Sequence, residues 1–233
     1  MTERGEGATD SAFREIRRLV INYEYKPGDR LYETTLAEEI GMSRTPIREA
    51  LAMLLANGFL ERDPNRRGYR VPALSASDMQ TVFRLRLALD EHIIQQAASR
   101  VTAKDITYLY SLNERERKFY QEENRTAYAD LNEQFHLFLA DLSNDIYAMR
   151  YVRELVSRTT LYGVFFAGFY TKLFMGKNVN VRQKPAHAEH KIIIDALADG
   201  DARAACEGVR RHLLNTYTHY SGHELADGMG ITE

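Results

Sequence analysis

The chain has 233 residues, of which 44% are hydrophobic and 27% are charged. This composition is that of a globular protein and excludes the collagen-like, disordered and disulfide-rich classes. The formal net charge of −2 argues against a nucleic-acid binder that is basic over its whole surface. The length allows one large domain or two smaller ones.

Cysteine usage and the N-terminal sequence predict a soluble, cytoplasmic protein. Cys206 is the single cysteine, so an intrachain disulfide and a four-cysteine metal site are both impossible. The N-terminal stretch MTERGEGATD is polar and lacks the apolar core of a signal peptide. No apolar run approaches the ~20 residues that a transmembrane helix needs, so we expect no membrane partner.

Apolar periodicity and turn residues predict three short helices in the first third of the chain. Helical spacing of apolar residues indicates a helix from Ala12 to Tyr25. A second helix is expected to be capped by Thr34 or Thr35 and to end at Gly41. A third helix follows Ser43, which is expected to cap it.

A β-hairpin is predicted to follow the third helix. Two β-like runs, at 59–62 and 69–71, flank a turn rich in Pro, Asn, Arg and Gly. The order helix, helix, tight turn, helix, hairpin is that of a winged helix-turn-helix domain. We expect this domain to span residues 10–73, after a disordered tail at 1–9.

Arginines are concentrated where such a domain contacts DNA. Residues 41–72 contain six Arg and three acidic residues, whereas residues 77–233 contain 19 basic and 21 acidic residues. Arg44 and Arg48 lie one turn apart in the exposed half of the third helix, and arginine can bind O6 and N7 of guanine. The alternative is a small helical domain with a salt-bridged surface. The residues predicted to contact DNA are Ser43, Arg44, Thr45 and Arg48 in the helix, and Arg66, Arg67 and Arg70 in the hairpin.

The second part of the chain has the composition of stacked helices. No proline occurs between Pro72 and Pro185. Amphipathic stripes predict about six helices within residues 77–222, followed by a tail at 223–233. Their expected ranges are 77–100, 103–121, 124–142, 144–174, 184–199 and 201–221. The predicted fold class is therefore mainly α, with an N-terminal winged helix-turn-helix and a C-terminal antiparallel all-α bundle.

Three histidines and an asparagine have the spacing of a metal site in this bundle. Asn132 and His136 lie one turn apart on one helix face. His190 and His212 each lie ~11 residues from the turn at Gly200, so they stand at the same level of an antiparallel helix pair. Such a set would suit zinc, nickel or another borderline divalent ion. The alternative is that these are ordinary core or surface residues.

Arg86 is a charged residue inside an apolar stripe. Asp90, four residues later, can neutralise it within the helix. The alternative is that Arg86 faces a ligand pocket and binds the carboxylate of an effector.

The first domain resembles the DNA-binding domain of the GntR family of bacterial transcription regulators. The segment SRTPIREAL and the hairpin from NGFL to RGYRV carry the resemblance, which covers residues 10–73. The resemblance implies that Arg44, Thr45 and Arg48 contact bases and that Gly68 is the glycine of the wing.

The second domain resembles the ligand-sensing domain of the FadR subfamily, in a six-helix version. The segments NEQFHLFLADLSN, AEHKIIIDALADGDARAA and VRRHL carry this resemblance. It implies that Asn132, His136, His190 and His212 bind a divalent metal ion, although Asp is commoner at the position of Asn132. Because members of the subfamily commonly sense small organic acids, it also implies a carboxylate effector near Arg86.

These features predict a transcription regulator that is not an enzyme. A ligand bound in the bundle would change the spacing of two DNA-binding domains in a homodimer. The alternative is a metal-dependent enzyme with an appended DNA-binding module. Against it, the chain has no His-Glu-x-x-His motif, and four protein ligands leave little room for a catalytic base. A purely architectural DNA binder would leave the histidines unexplained.

Overall fold

The structure is a computed structural model that describes residues 7–63, 67–166, 185–223 and 225. The chain divides into two compact units, residues 1–74 and 75–233. Within the described ranges, no helix combines the length and the apolar character that crossing a membrane requires.

The first unit is a winged helix-turn-helix, which confirms the predicted fold. Its elements are α1 (Ala8–Ile21), β1 (Arg30–Leu31), α2 (Glu33–Ile40), α3 (Arg44–Ala56), β2 (Glu61–Arg62) and β3 (Tyr69–Arg70). The strands form an antiparallel sheet in the order β1-β3-β2. Strand β1 was not predicted, because two residues between turn signals carry no readable alternation.

Three local expectations in this unit are wrong. Helix α1 begins at Ala8, inside the expected N-terminal tail, and ends at Ile21 because the chain turns into the left-handed region at Tyr23, where φ is 68°. Helix α2 has Tyr32 rather than a threonine at its N-cap. Ser43 occupies the N-cap of α3 as expected, but its side chain makes no capping hydrogen bond.

A small apolar core fixes the orientation of α3. Ile47, Leu51 and Leu54 on one face of α3 are fully buried, as is Ile16 of α1. Gly41 ends α2 in the left-handed conformation, as predicted, with a φ of 72° that suits glycine. Because one face of α3 is buried, the face that carries Arg44 and Arg48 points to solvent.

The second unit contains six helices in its described part. They are α4 (Ala76–Ala98), α5 (Ala103–Gln121), α6 (Arg125–Leu142), α7 (Ile146–Phe166), α8 (Ala186–Ala198) and α9 (Ala202–Ser221). The expected continuation of the fourth helix to residue 174 lies outside the described residues, as does most of the expected tail at 223–233. Thr102 and Asp105 form a capping box at α5, and Asp201 caps α9.

All six helices contribute to one apolar core, in which α8 and α9 pack against each other. The core includes Ile93, Leu109, Phe135, Val152, Ile193 and Val209. Gly200, with a φ of 72°, makes the turn between α8 and α9. On α9, Gly208 faces Ile193 of α8, and a Cβ atom at Gly208 would lie 3.1 Å from Ile193 Cγ1. The close approach of these helices therefore depends on the missing side chain.

Gly208→Val should destabilise the second unit by about 1–3 kcal/mol, because the added side chain must push Ile193 and α8 outward. Arg211→Val is the control, since it places the same β-branched residue at an exposed position of α9. Urea unfolding followed by circular dichroism measures both. Equal losses of stability in the two variants would show that packing at Gly208 is not the cause.

Candidate nucleic-acid interface and metal centre

The N-terminal end of α3 presents the predicted DNA-contacting residues to solvent. Arg44 and Arg48 lie one turn apart, and the side chain of each is 60% exposed. Ser43 and Thr45 are exposed beside them. The four residues thus lie together on one surface, here called the α3 face.

Glu33, at the start of α2, holds both arginines of this face. Arg48 donates through Nε and Nη2 to Glu33 Oε2, each at 3.0 Å, and Arg44 Nη2 lies 3.7 Å from the same oxygen. The hydrogen bonds from Arg48 hold the pKa of Glu33 below its ordinary value, against the opposing effect of burial. Since one carboxylate faces two guanidinium groups, Glu33, Arg44 and Arg48 together keep a net positive charge.

The residues of the hairpin that are predicted to contact DNA differ in their exposure and in their pairing. Gly68 has a φ of 134°, a conformation that favours glycine, and Arg67 is exposed next to it. Arg70 is half-buried and donates to Glu61 of the neighbouring strand at 2.6 Å, so its guanidinium is already paired. Arg66 lies outside the described residues.

In the second unit, three histidines from three helices converge. His136 on α6, His190 on α8 and His212 on α9 are buried, and each offers a ring nitrogen within 4.8 Å of the others. The rings of His190 and His212 are 4.7 Å apart between centroids, so they stand at one level, as their distances from Gly200 indicated. These three residues are here called the histidine cluster.

Two carboxylates orient two of these rings. Glu116 on α5 lies 2.8 Å from Nδ1 of His190, and Glu189 on α8 lies 2.9 Å from Nδ1 of His212. A carboxylate oxygen accepts, so both rings donate through Nδ1, and a neutral ring that donates there keeps the lone pair of Nε2 free. His190 Nε2 is buried without a hydrogen-bond partner. A metal ligand held by a second-layer carboxylate has this arrangement.

The charges of this region follow from burial and from these bonds. Burial raises the pKa of Glu189, but the hydrogen bonds from His212 and Asn215 outweigh that effect and leave the pKa below its ordinary value. Burial lowers the pKa of His136 and of His212, in the first case well below the usual range and with help from the Arg86 cation. These two imidazoles are therefore neutral, the state that binds a metal.

Arg86 is paired within its own helix and also lies beside the histidine cluster. It is buried and pairs with Asp90 at 2.5 Å, as the first alternative predicted. It also donates to Thr159 Oγ1 of α7, and its Nη2 lies 3.0 Å from Nδ1 of His136. Its guanidinium thus borders the histidine cluster, which is where the second alternative expects a carboxylate to bind.

Asn132 is the predicted ligand that the structure supports least. It lies on α6 one turn before His136 and is half-buried. In the described part of the chain its amide makes no hydrogen bond. Its role as a ligand remains a prediction.

The two carboxylates of the site were missed by sequence reasoning. Glu116 is 74 residues from His190 and sits in a helix rich in charged residues, so nothing singles it out. Glu189 is adjacent to His190 but points ~100° away from it around the helix. That rotation aims Glu189 at His212 on the next helix, a contact that a helical wheel of both helices would have revealed.

Comparison with known proteins identifies the family. The model of the FCD domain matches residues 81–215, and the model of the bacterial regulatory proteins of the gntR family matches residues 8–71. The chain belongs to the GntR family and carries an FCD domain.

Relatives of this GntR-family chain are named as transcriptional regulators. It is 31% identical over 134 residues to the uncharacterized HTH-type transcriptional regulator YdhC of Bacillus subtilis, covering 57% of this chain and 59% of that protein. It is also 31% identical over 146 residues to the Nta operon transcriptional regulator of Aminobacter aminovorans, covering 60% and 66%. In both cases the match spans less than two thirds of the relative.

A solved structure supports the fold over nearly the whole chain. The protein described as E. coli McbR/YncC superposes with a TM-score of 0.69 at 21% identity, covering 89% of this chain and 94% of that one. At this identity the likeness concerns the fold of the GntR-family chain alone.

Proposed function

We propose that this chain is a DNA-binding transcription regulator whose operator affinity is controlled by a small organic-acid effector bound in a metal-containing helical domain. The observation that carries the proposal is the histidine cluster, with free Nε2 lone pairs on His190 and His212 and a buried arginine beside it. An arrangement of buried, oriented imidazoles next to a guanidinium suits a metal ion and a carboxylate together.

The α3 face supports the DNA-binding half of the proposal. Arg44 and Arg48 expose N–H donors at the N-terminal half of the helix that a winged helix-turn-helix places in the major groove. Ser43 is exposed at the N-cap, where the helix end attracts a phosphate. Arg67 on the wing is exposed and suits a phosphate or the minor groove. Arg66 and Arg70 are proposed for the same role.

The histidine cluster would hold a divalent metal ion, zinc or nickel, with His136, His190 and His212 as ligands and Asn132 as the fourth. Three imidazoles and an amide carry no charge, so Glu116 and Glu189 supply the negative charge from the second layer. When bound, the metal supplies a Lewis-acidic position for an effector oxygen. Arg86 would bind a carboxylate of the same effector.

Exposed apolar side chains mark the surface proposed for a homodimer. Leu85 on α4 is 53% exposed, and on α7 Ile146, Tyr147 and Tyr151 are 75%, 66% and 57% exposed. The two helices lie side by side, bridged by His92 to Asp145 at one end and by Asp78 to Arg158 at the other. These four apolar residues are here called the α4–α7 face.

The charges on the same surface favour a second copy of the chain as the partner that binds the α4–α7 face. Arg150 and Glu154 are exposed one turn apart on α7, and they make no ion pair with each other or with another described residue. Across a two-fold axis between antiparallel α7 helices, each could pair with its opposite in the other copy. Dimerisation would present two recognition helices to two half-sites.

Metal content tests the site first. Protein purified without a histidine tag or chelator should contain about one zinc or nickel ion per chain. The double variant His136→Ala/His190→Ala should contain none, because two of the ligands are lost. His92→Ala, which removes an exposed histidine paired with Asp145, should keep the metal. Absence of metal from the wild-type protein and from both variants by plasma mass spectrometry would refute the metal site.

Arg44→Ala should weaken specific DNA binding by about 1–3 kcal/mol and relax base preference at one position, because a bidentate contact to a base is lost. Fluorescence anisotropy at fixed salt, with duplexes enriched by the wild-type protein from a random pool, measures this. Arg203→Ala removes the same charge from an exposed position in the second unit and should bind like wild type. Weaker binding with an unchanged base preference would mean that Arg44 contacts only phosphate.

Tyr151→Glu should convert the dimer to a monomer, because it places a charge in the centre of the α4–α7 face. Sedimentation equilibrium would then give the mass of one chain, 26.8 kDa. Tyr120→Glu changes a tyrosine that is 50% exposed elsewhere in the same unit and should leave the dimer intact. A Tyr151→Glu protein that remains dimeric would show that another surface joins the copies.

A further inference from the structure

The three histidines of the cluster differ in what contacts their Nδ1 atoms. Glu116 and Glu189 accept from His190 and His212, whereas His136 faces a cation, with Arg86 Nη2 at 3.0 Å. A guanidinium group carries donors and no acceptor. The hydrogen bond therefore requires an unprotonated Nδ1 on His136, which places the proton of the neutral ring on Nε2.

This tautomer leaves His136 unable to bind a metal. Its Nδ1 lone pair accepts from Arg86, and its Nε2 carries the proton. In contrast, the carboxylates keep the Nε2 lone pairs of His190 and His212 free. Two of the three rings of the cluster are thus ready for a metal, and the third is occupied by Arg86.

We propose that Arg86 must leave His136 before the cluster can bind a metal with all three histidines, and that a carboxylate effector promotes metal binding by holding the released guanidinium. The inference rests on the proposed metal and effector at this site. The inference does not depend on which ring nitrogen of His136 binds the metal. A metal at Nδ1 takes the lone pair that Arg86 uses, and a metal at Nε2 requires a proton on Nδ1, where two donors would then face each other.

Asp90 is placed to take over the contact that Arg86 gives up. Its Oδ2 lies 3.8 Å from Nδ1 of His136, and its Oδ1 is buried without a hydrogen-bond partner. Once Arg86 has moved, Asp90 can accept from a protonated Nδ1. The cluster would then contain three equivalent carboxylate–histidine pairs.

Release of Arg86 is unfavourable unless an anion receives it. The side chain is 4% exposed, and its partners are Asp90, Thr159 and His136. A buried guanidinium that loses a partner without gaining another is destabilised. A carboxylate can accept two parallel N–H bonds from it. By linkage, the carboxylate raises the affinity for the metal and the metal raises the affinity for the carboxylate by the same factor.

The tautomers of the three rings give the first test. Two-bond ¹H–¹⁵N spectra of the metal-free full-length protein, with His136→Gln used for assignment, distinguish protonated Nδ1 from protonated Nε2. We expect His136 with its proton on Nε2, and His190 and His212 with theirs on Nδ1. A metal-free His136 with its proton on Nδ1 would overturn the proposal.

The affinity for Zn²⁺, measured by competition with a chromophoric chelator, gives the second test. Arg86→Met should bind Zn²⁺ about tenfold or more tightly than wild type, because His136 is free and Asp90 can orient it. Arg158→Met, which removes an arginine paired with Asp78 in the first turn of α4, should bind Zn²⁺ like wild type. If Arg86→Met does not fold, Thr159→Val removes one anchor of Arg86 and should show a smaller gain.

The outcomes separate this inference from the function on which it rests. Equal or weaker Zn²⁺ binding by a folded Arg86→Met would refute the exchange while leaving the metal site intact. Failure of both proteins to bind Zn²⁺ would refute the metal site itself. Acetate at constant ionic strength should strengthen Zn²⁺ binding to the wild type more than to Arg86→Met, because only the wild type has a guanidinium for the carboxylate to hold. An equal effect on both would refute the role of the carboxylate.

Discussion

Burial of ionic side chains in the middle of the bundle is the constraint on which the second unit depends. Each of its six helices supplies at least one polar group to three hydrogen-bonded groups, which meet where the three histidine rings contact one another. The members are Arg86 and Asp90 from α4, Glu116 from α5, His136 from α6, Thr159 from α7, Glu189 and His190 from α8, and His212 from α9. Charges at this depth are tolerated only when they are paired and hydrogen-bonded. Because most of these hydrogen bonds join two different helices, the pairing also fixes which helices must be neighbours.

In the first unit, acidic and basic side chains also pair, but at the surface rather than in the core. Glu33 holds Arg44 and Arg48 at a surface where water screens the interaction, so the ion pairs contribute little to stability. In the proposed complex with DNA, their effect would be to limit the positions of two long side chains before DNA binds. A restrained guanidinium loses less conformational freedom on binding than a free one.

Sequence patterns predicted the helices, two of the three strands and the convergence of the three histidines, for physical reasons that also explain the failures. His190 and His212 could be aligned because a single glycine turn fixes the register of two antiparallel helices. Arg86 stood out because a charge interrupts an apolar stripe. Glu116 could not be found, since its partner is distant in sequence and its helix neighbours Arg115 and Arg117 are charged as well.

Local backbone details of the first unit were also beyond sequence reasoning. Three residues that can cap helices, Thr34, Thr35 and Ser43, do not do so through their side chains. Capping preference is weak compared with the packing that sets where a helix begins. Strand β1 exists because β3 offers it hydrogen bonds, so only the tertiary structure defines it.

The short three-stranded sheet has a consequence for solubility. Strand β3 lies in the centre, and the edge strands β1 and β2 have two residues each, among them the charged Arg30, Glu61 and Arg62. Such edges offer too few unpaired backbone groups, and too much charge, to add a strand from another molecule. Copies of the chain can therefore expose their wings to one another without joining edge to edge into aggregates.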